Sequence, residues 1–205
     1  MRIGSFARTL RALACAACLV PAAAVAQWYV GVGFGPTNNE FLPSFNPANS
    51  NIDDSDTAYK ILVGHSFGPN FSAELEFADL NTLVRATAPG QSTQIDASTF
   101  ALSLVGRFPV YTDLAMFGRI GLGRWDSDLL VTGASGSGSG FDPLIGLGLE
   151  YSLRFAPANL KLALEWTQYQ NVGEGVAAGN TKLTGQNVDV IWLRLTYHFR
   201  LAPGP

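Results

Sequence analysis

Apolar and polar residues alternate along most of this chain. The final run shows the pattern most clearly, because every second residue from Ile191 to Phe199 is large and apolar. A period of two places successive side chains on opposite faces of a β-strand. We count eight such runs: 27–35, 57–67, 71–80, 97–108, 114–125, 142–154, 159–170 and 188–199. The sequence therefore predicts an all-β protein.

The connections between these runs alternate between long and short. The long ones are 36–56, 81–96, 126–141 and 171–187, and the short ones are 68–70, 109–113 and 156–159. Bacterial outer-membrane barrels have short periplasmic turns and longer extracellular loops, and eight strands is their smallest common size. A strand that crosses a bilayer at a tilt needs roughly 9–11 residues. We therefore predict an eight-stranded antiparallel up-and-down transmembrane β-barrel over residues 27–199. The long connections, above all the glycine- and serine-rich stretch 133–140, are predicted to be mobile loops.

The N-terminal segment has the layout of a secretory signal peptide. Three arginines precede an apolar stretch that ends in Ala24-Val25-Ala26, so we predict that residues 1–26 are removed on export. Both cysteines lie in this segment, which leaves the mature chain without a disulfide or a thiolate metal site. Its net charge becomes −6, because 10 of the 13 basic residues remain against 16 acidic ones. Such a chain is a poor candidate for nucleic-acid binding. Residues 200–205 form a short proline-rich tail.

The two faces of the predicted strands differ in character. Large apolar side chains keep to one row, and glycines, small residues and charges keep to the other. A soluble barrel would bury the apolar row, whereas a membrane barrel turns it towards lipid. Buried charges need partners, and the polar row carries four cations and four anions. We predict that they form an ion-pair network in a neutral lumen: Lys60, Glu74, Glu76, Arg119, Glu150, Lys161, Glu165 and Arg194.

Several stretches resemble the outer membrane protein A-type family of eight-stranded barrels. They are 28–35, 59–80, 117–123, 146–153 and the final strand. The resemblance implies a Gram-negative outer-membrane location, contact with outer-membrane lipid, and insertion by periplasmic chaperones and the barrel-assembly machinery. It also implies a C-terminal assembly signal, whose aromatic spacing Tyr197 and Phe199 match, although a tail follows Phe199. Two-domain members continue through a similar linker into a peptidoglycan-binding domain. The tail looks like the stub of such a linker, so we do not expect peptidoglycan tethering.

Candidate catalytic and metal-binding groups have simpler interpretations. His65 and Ser66 are adjacent in a strand and point to opposite faces, so they cannot act as a base and nucleophile pair. Glu74 and Glu76 share a face like the carboxylates of a glycosidase, but nearby Lys60 favours ion pairing. The acids of the first long connection, Asp53, Asp54 and Asp56, could ligate a metal, although a solvated turn is favoured. We expect no enzyme activity, no cofactor and no metal.

These features favour a structural or surface-interaction role in the cell envelope. The long connections would face outside and contact an extracellular ligand or host surface. The alternative is a narrow pore for ions or small solutes. It is disfavoured because side chains just fill the interior of an eight-stranded barrel. A lipid-modifying enzyme is the least favoured interpretation.

Overall fold

The computed structural model describes residues 27–39, 51–53, 56–88, 91–153 and 159–199. The predicted signal peptide and the proline-rich tail lie outside these residues, as do Asp54 and residues 154–158, which include most of the third short connection. None of the described segments forms a helix with the length and apolar character needed to span a membrane.

Eight long antiparallel strands form a closed barrel, which confirms the predicted fold. Each strand pairs with its neighbours in the chain, and β1 pairs with β8 from Trp28 opposite Phe199 to Asn39 opposite Val188. The strands are β1 (Gln27–Asn39), β2 (Thr57–Ser66), β3 (Phe71–Ala88), β4 (Gln91–Pro109), β5 (Leu114–Val131), β6 (Ala134–Ser152), β7 (Asn159–Val172) and β8 (Gln186–Phe199). A short strand, Asn51–Asp53, pairs with β3, and Ala177–Ala178 pairs with Thr181–Lys182.

Strands β3 to β6, with 18 or 19 residues each, are longer than the sequence pattern predicted, and β3 and β4 occupy most of the predicted loop 81–96. Strands β5 and β6 have 18 and 19 residues and meet at a tight turn at Thr132 and Gly133. The prediction that 126–141 is a loop and that 133–140 is mobile is therefore wrong. In this hairpin Asp126 lies opposite Ser139, and Ser127 lies opposite Gly138. The backbone hydrogen bonds of a sheet need no apolar side chains, so a glycine- and serine-rich strand escapes detection by hydrophobic alternation.

An apolar band surrounds the outer surface. Its aromatic residues lie in two groups, one at each edge. One group lies near the end that contains Gln27 and Phe199, which we call the terminal end, and includes Phe67, Phe71 and Phe108, each at least 60% exposed. The other lies towards the opposite, hairpin end: Phe34, Tyr59, Phe77, Phe100 and Phe141. Aromatic girdles around an apolar band are typical of transmembrane barrels.

The hairpin of β5 and β6 projects beyond this band. An 18-residue strand rises about 45 Å along the barrel axis at a tilt of about 40°, whereas the apolar band of such barrels is about 25 Å tall. Outward-facing Arg124, Asp126 and Asp128 are exposed on the projecting part. The barrel wall therefore continues into the polar region on its hairpin end.

Candidate functional site: the charged lumen and its apolar cap

Inward-facing glycines make room for the large side chains that fill the barrel. Gly64 lies opposite Tyr29, and a Cβ atom added at Gly64 would stand 2.1 Å from the Tyr29 ring. Gly146 lies opposite Arg119, and a Cβ atom there would stand 2.8 Å from the Arg119 side chain. Glycine in a strand commonly marks such a close approach. These gaps let long polar side chains reach the barrel axis.

Glu165 lies at the centre of a charged cluster. Its Oε1 atom accepts hydrogen bonds from Lys60 Nζ at 2.9 Å, Arg119 Nη1 at 2.7 Å and Thr167 Oγ1 at 2.8 Å. Arg119 Nη1 also lies 2.8 Å from Glu76 Oε2, and Lys60 Nζ lies 3.5 Å from the same oxygen. The four charged side chains have no solvent exposure. Each cation is therefore shared between at least two carboxylates.

A second group of charges lies nearer the terminal end. Arg194 Nη1 donates to both oxygens of Glu74 at 3.1 Å, and Arg194 Nη2 lies 3.6 Å from Glu150 Oε2. Glu150 Oε1 also lies 2.7 Å from Lys161 Nζ and 3.4 Å from Arg107 Nε. Lys161 is the most exposed member, with 27% of its side chain accessible. This group connects the dry centre of the lumen to its terminal opening.

Neutral hydroxyl groups form further hydrogen bonds with the charged side chains. Tyr29 Oη donates to Glu74 Oε1 at 2.7 Å, and Tyr169 Oη donates to Glu76 Oε1 at 2.9 Å. Arg119 Nη2 donates to Ser103 Oγ at 2.8 Å. The hydrogen bonding remains incomplete among the described residues, because the Nε atoms of three arginines have no hydrogen-bond partner: Arg107, Arg119 and Arg194. Attraction between opposite charges therefore carries much of the cohesion of the cluster.

All eight charged residues predicted to line the lumen meet in this one cluster. Their ion pairs join strands that are not adjacent, as in Lys60 of β2 with Glu165 of β7. The predicted balance of four cations and four anions is nevertheless wrong, because Arg107 also belongs to the cluster. Five cations face four glutamates. The inward position of Arg107 could have been predicted from the sequence, because the next residue, Phe108, belongs to the outward apolar row.

The hairpin half of the interior is apolar, and the alternation of apolar and polar residues did not predict this. Its buried side chains form one cluster that includes Leu80, Leu83, Ile95, Trp125, Leu129, Leu144, Tyr169, Val172, Val188, Val190 and Trp192. Lys60 marks the boundary between the layers, because its Nζ atom lies 4.5 Å from the centroid of the Trp192 ring. A cation over an indole ring is favourable, especially without water. The lumen thus has a charged layer and an apolar layer.

The connection between β7 and β8 covers the apolar layer. Within this cap segment, residues 173–185, the side chains of Val176, Ala178 and Leu183 are buried. Val176 packs on the glycine-rich part of β6, where a Cβ atom added at Gly138 would stand 2.9 Å from Val176 Cγ2. A Cβ atom at Gly136 would stand 1.9 Å from the Ala177 carbonyl oxygen. The glycines of β6 therefore form a docking surface for the cap segment.

The histidines and the C-terminal aromatic residues lie near the terminal end. His65 packs on the outer surface, with ring centroids 4.8 Å from Trp28 and 5.0 Å from Phe67. His198 points inward, is 4% exposed and stacks on Tyr29, with ring centroids 4.6 Å apart. The rings of Tyr197 and Phe199 lie outward on β8, with centroids 6.0 Å apart.

Comparison with known families agrees with this architecture. The model of the family described as "Outer membrane protein beta-barrel domain" matches residues 10–200, which is nearly the whole chain. The chain belongs to the outer membrane protein β-barrel family. Membership indicates a location in the Gram-negative outer membrane, where the apolar band contacts lipid. No curated protein matches the chain.

Solved structures with this fold are distant from this chain in sequence. The N-terminal β-barrel domain of Pseudomonas aeruginosa OprF superposes with a TM-score of 0.53 at 11% identity, covering 84% of this chain and 97% of that one. Pseudomonas aeruginosa OprG gives a TM-score of 0.52 at 15% identity, with 86% and 97% covered. AlkL, solved in DMPC lipid bilayers, gives 0.52 at 16% identity, with 88% and 93% covered. These similarities show the fold alone.

Replacement of Glu165 by glutamine should strongly destabilise this outer-membrane barrel. The substitution leaves Lys60 and Arg119 short of one negative charge in a dry interior, and breaking a buried ion pair in this way costs about 3–5 kcal/mol. The measurement is the free energy of unfolding by urea in lipid vesicles. Asp142→Asn is the matched control, because the described hydrogen-bond donors to Asp142, from Trp125 and Asn171, are neutral. Equal, small losses in the two variants would contradict a charge-held lumen.

Replacement of Gly138 by leucine should displace the cap segment. The new side chain would occupy the position of Val176, so amide hydrogen exchange in residues 173–185 should accelerate by at least about tenfold. Ser137→Leu is the control, since Ser137 is the neighbouring residue on the exposed face of β6. Unchanged exchange in Gly138→Leu would show that the glycine surface does not hold the segment in place.

Proposed function

We propose that this protein is a closed barrel that anchors and displays its hairpin end at the cell surface. Its role is structural and surface-interactive, rather than transport. The hairpin end faces outside and the terminal end faces the periplasm, in keeping with the usual topology of the family. Residues 1–26 act as the cleaved signal that directs export.

The filled lumen is the observation that carries this proposal. A solute that enters from the terminal end meets Glu165 and its three hydrogen-bond donors on the axis. Beyond them it meets the apolar layer, and then the cap segment. To open a passage, several buried ion pairs and an apolar core must separate together, and each such step is unfavourable.

The projecting hairpins supply the surface for interaction. Arg124 and Asp126 form an exposed ion pair at 3.3 Å on the outer face of β5, and Glu174 and Lys182 are exposed on the cap segment. Because β5 and β6 are fully hydrogen-bonded to their turn, they present these side chains on a rigid support. The proposed partner is an extracellular ligand or a host surface that contacts this mixed-charge end.

A narrow pore is the second candidate, and one feature favours it. The charged layer has one more cation than glutamates, and Lys161 is partly accessible from the terminal end. An excess of positive charge would attract anions into this half of the lumen. A rearrangement of the ion pairs would then be needed for conduction.

Planar-bilayer recording separates the two candidates. We expect the refolded chain from residue 27 to produce no discrete channel openings, because the charged and apolar layers close the lumen. Arg107→Gln serves as the matched variant, since it removes the excess charge and keeps a polar side chain at this position. Discrete anion-selective openings that lose their selectivity in Arg107→Gln would contradict the structural role and support the pore.

The C-terminal aromatic residues are proposed to form the assembly signal that chaperones and the barrel-assembly machinery recognise. Phe199→Ala should therefore lower the amount of folded protein in the outer membrane of cells. The variant should still refold in detergent, since Phe199 is the last residue of β8. Leu193→Ala, in the same outward row but deeper in the band, is the control. Equal membrane levels for the two variants would contradict a signal at Phe199.

Catalysis is not part of the proposal. The His65 ring is engaged by Trp28 and Phe67 on the lipid-facing surface, and Ser66 follows it in the same strand. We therefore expect His65→Ala to change neither the lipid composition of the membrane nor any lipid hydrolysis by the purified protein.

A further inference from the structure

Two glycines interrupt the apolar band on the wall formed by β4 and β5. Gly106 lies directly opposite Gly118 in the pairing of these strands. The other outward positions of both strands within the band carry large side chains: Phe100, Leu102, Leu104, Phe108, Met116, Ile120 and Leu122. The glycine pair therefore leaves a local depression in a wall that is otherwise covered by large apolar groups.

The packing of the protein itself does not require glycine at these two positions. A Cβ atom added at Gly106 would meet only a Phe71 ring atom at 3.9 Å, and one added at Gly118 would meet Leu147 Cδ2 at 3.5 Å. These are ordinary van der Waals contacts, in contrast to the 2.1 Å at inward-facing Gly64. Neither glycine has a positive φ. Because glycine is unfavourable in a strand interior, an approach from outside the protein is the remaining physical reason for it.

The depression is part of a groove with a volume of about 580 Å³. Its apolar walls include Phe71, Leu104, Ile120, Ile145, Leu147 and Trp166. Residues that lie opposite one another on strands β3 to β7 form one row, which runs from Phe71 through the two glycines and Leu147 to Trp166. Neighbouring strands lie about 4.8 Å apart, so this row is roughly 19 Å long. The groove follows this row and is apolar.

The environment of the groove identifies its occupant. The groove lies within the band that contacts lipid, so the molecules that reach it are lipid chains. It begins at Phe67 and Phe71, beside the connection between β2 and β3 at the terminal end. In the orientation proposed above, this end lies in the periplasmic leaflet. The strand tilt of about 40° turns the row across the strands obliquely into the membrane.

We propose that this groove binds one acyl chain of a phospholipid of the periplasmic leaflet. The chain lies against the backbone of Gly106 and Gly118, with Phe71 at one end and Trp166 at the other. It is held longer than the lipids around the rest of the barrel, because it contacts protein along several strands rather than one smooth face. The assignment of the leaflet rests on the proposed orientation of the barrel.

Native mass spectrometry of the protein extracted from outer membranes in mild detergent tests this proposal. We expect one retained phospholipid on the wild-type barrel. Gly118→Leu should fill the groove and lower the retained fraction by at least about tenfold. Val32→Phe is the control, since Val32 is an exposed residue of β1, on the wall opposite β5. Heat-shifted gel mobility establishes that both variants fold.

Three results would overturn the proposal. The first is equal phospholipid retention by the wild type, Gly118→Leu and Val32→Phe. The second is retention of lipid A rather than a phospholipid, which would place the groove in the outer leaflet. The third is a wild-type dimer that Gly118→Leu converts to a monomer, which would make a second copy of the chain the occupant.

Discussion

Charge neutralisation inside a narrow, dry barrel is the constraint on which the rest of this structure depends. Glu165 has no solvent exposure, and a carboxylate in such a place is strongly unfavourable unless cations and hydrogen-bond donors surround it. Lys60 and Arg119 reach it from other strands. For them to do so, the strands that carry them must hold one register around a closed ring. The ion pairs and the barrel closure therefore determine each other.

The same constraint explains why the interior is charged in one half of the barrel and apolar in the other. Charges occupy the half near the terminal end, where Lys161 retains some access to solvent. The other half continues beyond the apolar band, has an apolar interior and is closed by the cap segment. In the role that we propose, such a barrel supports the surface hairpins, and its rigidity comes from the filled interior rather than from the lipid-facing row.

Sequence alternation predicted what depends on single strands. The side chains of one strand face alternately inward and outward, so the charged row and the apolar row could be assigned from parity, as for Glu74 and Leu75. The number of strands followed from the same pattern, whereas the family relationship was implied by the resemblance of stretches such as 59–80. The alternation did not predict which residues of strands distant in sequence contact one another. The pairing of Lys60 on β2 with Glu165 on β7 needs the closed ring, and the packing of Val176 on Gly138 needs the cap segment to fold back over β6.

The roles of the glycines also could not be predicted from the sequence pattern. The composition of the stretch 133–140 is that of a flexible linker, and only the structure shows that Gly136 and Gly138 hold the cap segment by their small size. Gly64, Gly138 and Gly118 look alike in sequence. The first accommodates a tyrosine, the second a neighbouring segment, and the third faces lipid. Their different roles depend on what lies across from them.

The most direct test of which row faces lipid and which faces the lumen is refolding of residues 27–205 with and without detergent. Unboiled and boiled samples would be compared on a denaturing gel, alongside far-ultraviolet circular dichroism. We expect a β-rich spectrum and a shifted unboiled band only when detergent covers the apolar row. A chain that folds in plain buffer, with no band shift, would mean that the apolar row forms a soluble core and the charged row faces water.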